Sequence, residues 1–222
     1  MCGRVGTPNS NDILKSFDLV YNGPYKEMQI NVAPTDQVPV VDNKKPGELQ
    51  YKNWSLIPWY SKTGKADFKR PTFNARYDRL LDPKSMWSKL IGKKHCVVIT
   101  NGYYEWEWLD EKGKKKQPHF IRAKGQDFTL LAGLWEDWVN KETGEIITSC
   151  AVITHDAVES MGAIHDRMPA FLTKQGSDIW LDNELPLTER LKVIEPVGEG
   201  FLESVKINKV GDMEEFEHVV FK

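Results

Sequence analysis

Apolar positions along the chain fall mostly into short β-branched and aromatic runs separated by proline, glycine and charged turns. Asn31-Val32-Ala33-Pro34 reads as a turn leading into a strand over 38–41, and 49–58 is again strand-like, ending at a proline. His95 to Thr100 is β-branched and apolar and predicts a strand, and the aromatic run from Tyr103 to Trp108 predicts another. A charged turn over 110–116 and a further strand around Phe120 complete a hairpin. Strands also fit 128–134 and 146–154. Helical spacing predicts a short helix over 12–17, another over 175–181, and a longer one opened by Asn74 and running to about Leu90, with Leu80, Leu81, Met86, Trp87 and Leu90 as its apolar face. Residues 59–72 collect Gly, Lys and Pro without apolar periodicity and predict an exposed loop. The alternation of strand and helix is too irregular for a doubly wound sheet, so the expected class is α+β, as a single domain over 1–222.

Composition narrows the class of molecule. The 222 residues are 40% hydrophobic and 28% charged, which argues against a disordered or membrane-embedded chain. No apolar run approaches the roughly 20 residues that cross a bilayer, and residues 2–11 lack a secretory signal, so a soluble intracellular protein is expected. Cys2, Cys96 and Cys150 cannot all pair and form no CxxC motif, which predicts reduced thiols and no metal site. The net charge of -2 hides a polarity. Residues 61–94 carry ten Lys/Arg against three Asp, a surplus of +7, whereas 195–222 carry seven Asp/Glu against three Lys, a deficit of -4. Such asymmetry suits a local phosphate-facing patch, and equally a solvated charged face.

The chemistry sits at the start, Met1-Cys2-Gly3-Arg4. Cysteine is small enough at the second position for the initiator methionine to be removed, which exposes a 1,2-aminothiol. With an aldehyde, the amine gives an imine and the thiol closes on the same carbon to form a five-membered thiazolidine. An α-amine with a pKa near 7.7–8.0 leaves roughly a quarter in the neutral form, against about a thousandth for lysine near 10.4. Ring closure within one residue has the high effective concentration of an intramolecular step, and no cofactor is needed.

Six short strings extend the reading: Cys2-Gly3-Arg4, Asn31-Val32-Ala33-Pro34, the Trp54-to-Pro58 segment, Asn74-Ala75-Arg76, Asn101-Gly102-Tyr103-Tyr104-Glu105-Trp106, and His165-Asp166-Arg167-Met168-Pro169. In that order they resemble the SOS response-associated peptidase (SRAP) family, and the C-terminal part matches loosely. The resemblance implies an α+β SRAP domain, with mainly antiparallel and mixed sheets forming a barrel-like core flanked by helices. It implies binding of single-stranded DNA containing an abasic site and a covalent thiazolidine link between Cys2 and the opened deoxyribose, which shields the lesion. Self-removal of Met1 and reversal of the cross-link are implied as well. So are a cytoplasmic, nucleoid-associated monomer and a meeting with the replication machinery.

Carried over by motif, Cys2 is the nucleophile, Asn74 a polar contact beside it, and Glu105 and His165 the acid/base pair at the sugar. A histidine transfers protons in both directions near neutrality, and a carboxylate takes a proton from the α-amine or gives one to the ring oxygen. Strand alternation places Tyr103 and Glu105 on one face and Tyr104 and Trp106 on the other. Asn74 also suits a helix N-cap. His95 and His155 border apolar strands outside the matched motifs and are read as structural. Arg4, Arg76 and Arg167 are the expected phosphate ligands, with Lys84 a further candidate. Trp59 and Tyr60 are candidates for base stacking, although Trp59 follows a core-like segment. One departure is Ser55, where the family carries glycine; serine fits if φ is negative. The residues leave two other readings open: an N-terminal-nucleophile cysteine hydrolase acting in trans, and a non-covalent binder of modified single-stranded DNA.

Overall fold

The computed structural model describes residues 2–67 and 69–221; Met1 lies outside them, and with it the expectation that this residue is removed. In chain order the elements are β1 (Val5–Thr7), α1 (Ser10–Phe17), β2 (Gln29–Val32), β3 (Gln37–Asp42), β4 (Lys45–Trp54), β5 (Asn74–Arg76), β6 (His95–Thr100), β7 (Gly102–Trp108) and β8 (Lys116–Ala123). There follow β9 (Thr129–Val139), β10 (Ile146–Asp156), α2 (Glu159–Gly162), β11 (Arg167–Pro169), β12 (Phe171–Leu172), α3 (Lys174–Leu181), α4 (Leu187–Lys192), β13 (Leu202–Lys206) and α5 (Met213–Val220).

Strands β10, β4, β3, β6 and β9 close on one another, because β9 pairs back onto β10 over seven register positions from Ile146↔Val139 to Val152↔Gly133. All pairs in this ring are antiparallel except β10 with β4. Closure leaves the ring no free edge of its own. A second sheet runs in the order β13-β8-β7-β1-β2. The expected α+β fold with a barrel-like core is what the chain forms.

Period-two alternation divides the ring strands between two cores. Val97, Ile99, Leu130, Ala132, Leu134, Ala151 and Ile153 pack with Ile13 of α1 and Trp180 of α3. The alternate positions, including Cys96, Val98, Leu131, Cys150 and Val152, pack with Val5, Tyr103 and Ile121 of the second sheet. Cys2 belongs to this second core. A charged pair is sunk beside it in β3 and β4: Lys52 and Asp42 are each 1% exposed and 2.8 Å apart. The pair is tolerated because its remaining groups are used. Asp42 Oδ1 accepts the amides of Lys44 and Lys45, and the Lys52 ammonium lies 4.7 Å from the Trp135 ring centroid.

The region expected to be helical from Asn74 to Leu90 is instead β5 followed by two short 3-10 turns, Tyr77–Arg79 and Met86–Lys89. Backbone pairing decides this. Asn74, Ala75 and Arg76 lie alongside Val152, Ile153 and Thr154 of β10, in parallel, so Asn74 is a strand residue rather than a helix cap. The apolar face survives in part: Leu80, Trp87 and Leu90 are buried, whereas Leu81 is exposed. At the other end of the chain, β13 and α5 form where only a loose match and acidic charge were visible. Asp212 caps α5, and its Phe216 packs against Phe120 at 5.3 Å between centroids.

Candidate functional site around Cys2

Pairing of β1 with β7 fixes where the chain starts. Val5 lies opposite Tyr103, and the Tyr104 amide donates to the Arg4 carbonyl at 2.9 Å, which lays Cys2 against the β7 face that carries Tyr103 and Glu105. Cys2 is fully buried and Glu105 is 5% exposed. Tyr104 and Trp106 turn to the opposite face, into the core beneath α5, as the alternation requires. Burial pushes the Cys2 thiol well above its ordinary range, and the Glu105 carboxylate adds to the rise, so the sulfur rests as a thiol.

From the other sheet, Asn74 reaches across: its side-chain amide donates to the Cys2 carbonyl at 2.8 Å. Its Oδ1 is buried and accepts no hydrogen bond from any described residue. An amide oxygen in that state is an acceptor awaiting a donor. Parallel pairing of β5 on β10 holds this side chain, and β10 also carries β11, whose approach contains His165. His165 sits between Met161 and Met168, both in the core that contains Cys2. Its Nδ1 accepts the Arg167 amide at 3.0 Å and stands 2.7 Å from Asp166 Oδ1. A neutral ring suits the first partner and an imidazolium the second, so both protonation states have a hydrogen bond waiting.

The expected DNA ligands are placed unevenly. Arg4 is half-buried beside Cys2. Arg76 is exposed and forks onto Asp78 with two bonds of 2.9 Å. Arg167 is buried; its Nη1 donates to Asp156 and its Nη2 to the backbone carbonyl and hydroxyl of Thr154, so this guanidinium braces β10 against β11. Lys84 is exposed on the basic stretch. Trp59 is 41% and Tyr60 59% exposed, packed edge-to-face at 4.9 Å, with Lys89 4.8 Å from the Trp59 ring centroid. A cleft of about 670 Å³, lined in part by Ser55, Thr63, Gly64 and Lys65, opens between this basic loop and the turn after β2. Ser55 itself is buried, and among the described residues positive φ at a non-glycine occurs only at Asp18 and Thr35, so serine is accommodated there without strain.

His95 and His155 are both held structurally. His95 stacks on Trp180 at 3.7 Å and accepts the Gly92 amide, and His155 bonds the Asp156 carbonyl. A residue that the sequence did not single out, His119, lies directly across β7–β8 from Glu105. Its signal was the register of the hairpin, which depends on how the 110–116 turn closes.

The family model for SOS response associated peptidase (SRAP) matches residues 1–212. The chain belongs to the SRAP family. Relatives within it include an abasic site processing protein YobE of Bacillus subtilis (strain 168), 33% identical over 186 residues that make up 82% of each chain. An abasic site processing protein HMCES of Xenopus tropicalis is 33% identical over 169 residues, 67% of this chain and 50% of that one. Among solved structures, a protein from Bacteroides thetaiotaomicron superposes with a TM-score of 0.81 at 24% identity, covering 94% of this chain and 93% of the other. A second, from Bordetella bronchiseptica, gives 0.77 at 20% identity over 94% and 100%. At those identities the structures speak for the SRAP fold alone.

Proposed function

We propose that this SRAP protein processes abasic sites in single-stranded DNA by joining Cys2 to the opened deoxyribose as a thiazolidine. Support comes from its abasic-site-processing relatives and, above all, from one observation: the backbone of Cys2 is gripped by Asn74 while Glu105 stands beside its thiol. Hydrolysis of the Met1–Cys2 bond, with uptake of one water, frees the α-amine; self-catalysis of that step is the single peptidase activity the reading requires. Glu105 takes a proton from the α-ammonium, and the amine adds to the aldehyde carbon to give a carbinolamine. His165 donates the proton with which the hydroxyl leaves as water, forming the imine. The Cys2 sulfur then bonds to the same carbon as its proton passes to the nitrogen. The balance is aldehyde plus aminothiol to thiazolidine plus one water, and the reverse sequence releases the lesion. Asn74 Oδ1 accepts from the α-ammonium or a sugar hydroxyl. Arg4, Arg76, Arg167 and Lys84 contribute positive charge along the strand, and Trp59 with Tyr60 stacks on its bases.

Intact mass measured before and after exposure to single-stranded DNA with one abasic site tests this. We expect loss of Met1, then one covalent oligonucleotide per chain that resists denaturation and is absent with Cys2→Ala. Equal adduct yield from that variant would falsify the assignment. Turnover of an amide in trans without an adduct would mark a hydrolase, and binding unchanged by Cys2→Ser with no adduct a non-covalent reader.

A further inference from the structure

One large buried side chain on the ring belongs to none of the apolar cores. Trp138, near the end of β9, is 7% exposed, yet it packs into no core cluster, whereas Trp135 of the same strand shares the core of Cys2 and Val152. The basic loop after β4 covers it instead. Trp138 Nε1 donates to the Ser61 carbonyl at 2.8 Å. Its six-membered ring lies against Gly64, where an added Cβ would stand 2.5 Å from Cζ3 and 2.8 Å from Cε3 and Cη2. Gly64 also has φ at +63°, so close approach and backbone conformation both require glycine there. It is a buried position between the exposed Thr63 and Lys65.

The loop has little else to hold it. Its neck is closed by Leu56 and Thr72: the Leu56 amide donates to the Thr72 carbonyl at 3.2 Å, and the Thr72 hydroxyl to the Leu56 carbonyl at 2.6 Å. Beyond the neck the bonds are local, from the Ser61 amide to the Pro58 carbonyl, from the Thr63 amide to the Ser61 hydroxyl and from the Lys69 amide to Asp67. Among the described residues from 61 to 67, the bond from Trp138 is the one hydrogen bond that arrives from outside the loop. Lys62, Lys65, Lys69 and Arg70 ride on this loop against a single acid, Asp67, and Trp59 and Tyr60 stand at its start. Trp138 itself is remote from the chemistry. It lies opposite Ile147 of β10, and Val152, which packs with Cys2, is five residues further along that strand, about 16 Å at 3.3 Å per residue.

We propose that Trp138 is the positioning residue of the strand-binding loop: its indole pins residues 61–64 so that the loop lysines and the Trp59–Tyr60 pair are set before DNA arrives. A loop ordered in advance does not have to be ordered on binding, which raises affinity without touching the reacting atoms. The inference deepens the reading of this loop as a DNA contact and rests on it for the effect on DNA; the hold on the loop does not depend on it. A tryptophan serving only as core would pack with the core and would not spend its N–H on a surface loop.

Trypsin reads the hold in the DNA-free protein. With Trp138→Ala, cleavage after Lys62 and Lys65 is expected to quicken about tenfold or more, while cleavage after Lys112 and Lys114, in the separate β7–β8 turn, keeps its wild-type rate. Gly64→Ala, which pushes the loop off the ring and leaves the cores intact, is expected to give the same pattern. Unchanged cleavage after Lys62 and Lys65, or an equal rise in both segments, overturns the proposal whatever the protein does with DNA. In cross-linking to abasic single-stranded DNA, both variants are expected to need about tenfold more DNA for half-maximal rate and to reach the wild-type rate at saturation. A lower saturating rate, or an unchanged half-saturating concentration, would reduce Trp138 to a structural residue. If the wild-type chain makes no adduct, the cross-linking reading falls, and affinity for undamaged single-stranded DNA, read by fluorescence anisotropy, decides instead: weaker binding by both variants supports the proposal and equal binding overturns it.

Discussion

Asn74 holds the chain start with one hydrogen bond and keeps its second amide atom unspent in a buried position. Truncating it strands the Cys2 carbonyl without its donor, and leaving a buried polar group unsatisfied costs about 1–3 kcal/mol. We therefore expect Asn74→Ala to slow adduct formation by about tenfold or more, since each 1.36 kcal/mol is a factor of ten in rate. Quenched time courses with abasic oligonucleotide would show it, and wild-type rates would remove Asn74 from the chemistry. Residue type and motif alone do not rank the three motif arginines. Arg76 is exposed and Arg167 buried because β10 and β11 close over one and not the other, and those strands are distant in sequence from residue 76. Likewise the position of Glu105 on its strand was legible from alternation, but its neighbour His119 was not, because register is set by turn geometry rather than by pattern.

Among the elements, strands β6 to β10 were readable because their β-branched and aromatic runs are bounded by charged turns, and α3 because its helical spacing follows a capping threonine, Thr173. Residues 74–90 were misread for a definable reason. Leu80, Trp87 and Leu90 do share one buried side, but the chain reaches it through a strand and two 3-10 turns, with Pro83 between them, and burial pattern alone does not separate that from a helix. The loop over 59–72 was anticipated, and the exposure of Trp59 settles which way its ring faces. Stacking on an aromatic side chain contributes about 1–3 kcal/mol per base. For Trp59→Ala we expect affinity for undamaged single-stranded DNA to fall about five- to a hundredfold with the melting temperature unchanged, as read by fluorescence anisotropy. A loss of stability without a loss of affinity would assign the ring to packing.

At the scale of the whole molecule, the closed ring and the helices packed on it meet at His95. Its ring stacks on Trp180, Nδ1 donates to the Trp180 carbonyl and Nε2 accepts the Gly92 amide, so the folded protein holds it neutral. Burial, with the nearby Arg190 guanidinium adding to it, pulls its pKa down from 6.5 to about 4. Below pH 6.5 the unfolded chain binds a proton there that the folded one refuses until about pH 4, so stability falls as pH drops through this window. The full effect is roughly 3 kcal/mol. Urea titrations at stepped pH should show this slope, and His95→Gln should flatten it; an identical slope in the variant would place the acid sensitivity elsewhere.

The complete burial of Cys2, shared by Cys96 and Cys150, has a consequence for the life of the protein before it meets DNA. Peroxide attacks exposed thiolates, and a protonated sulfur sheathed in hydrocarbon offers neither the charge nor the access. Under the proposed cross-linking, in which each lesion engages one Cys2 sulfur, this burial keeps that atom in reserve under oxidative conditions that damage DNA.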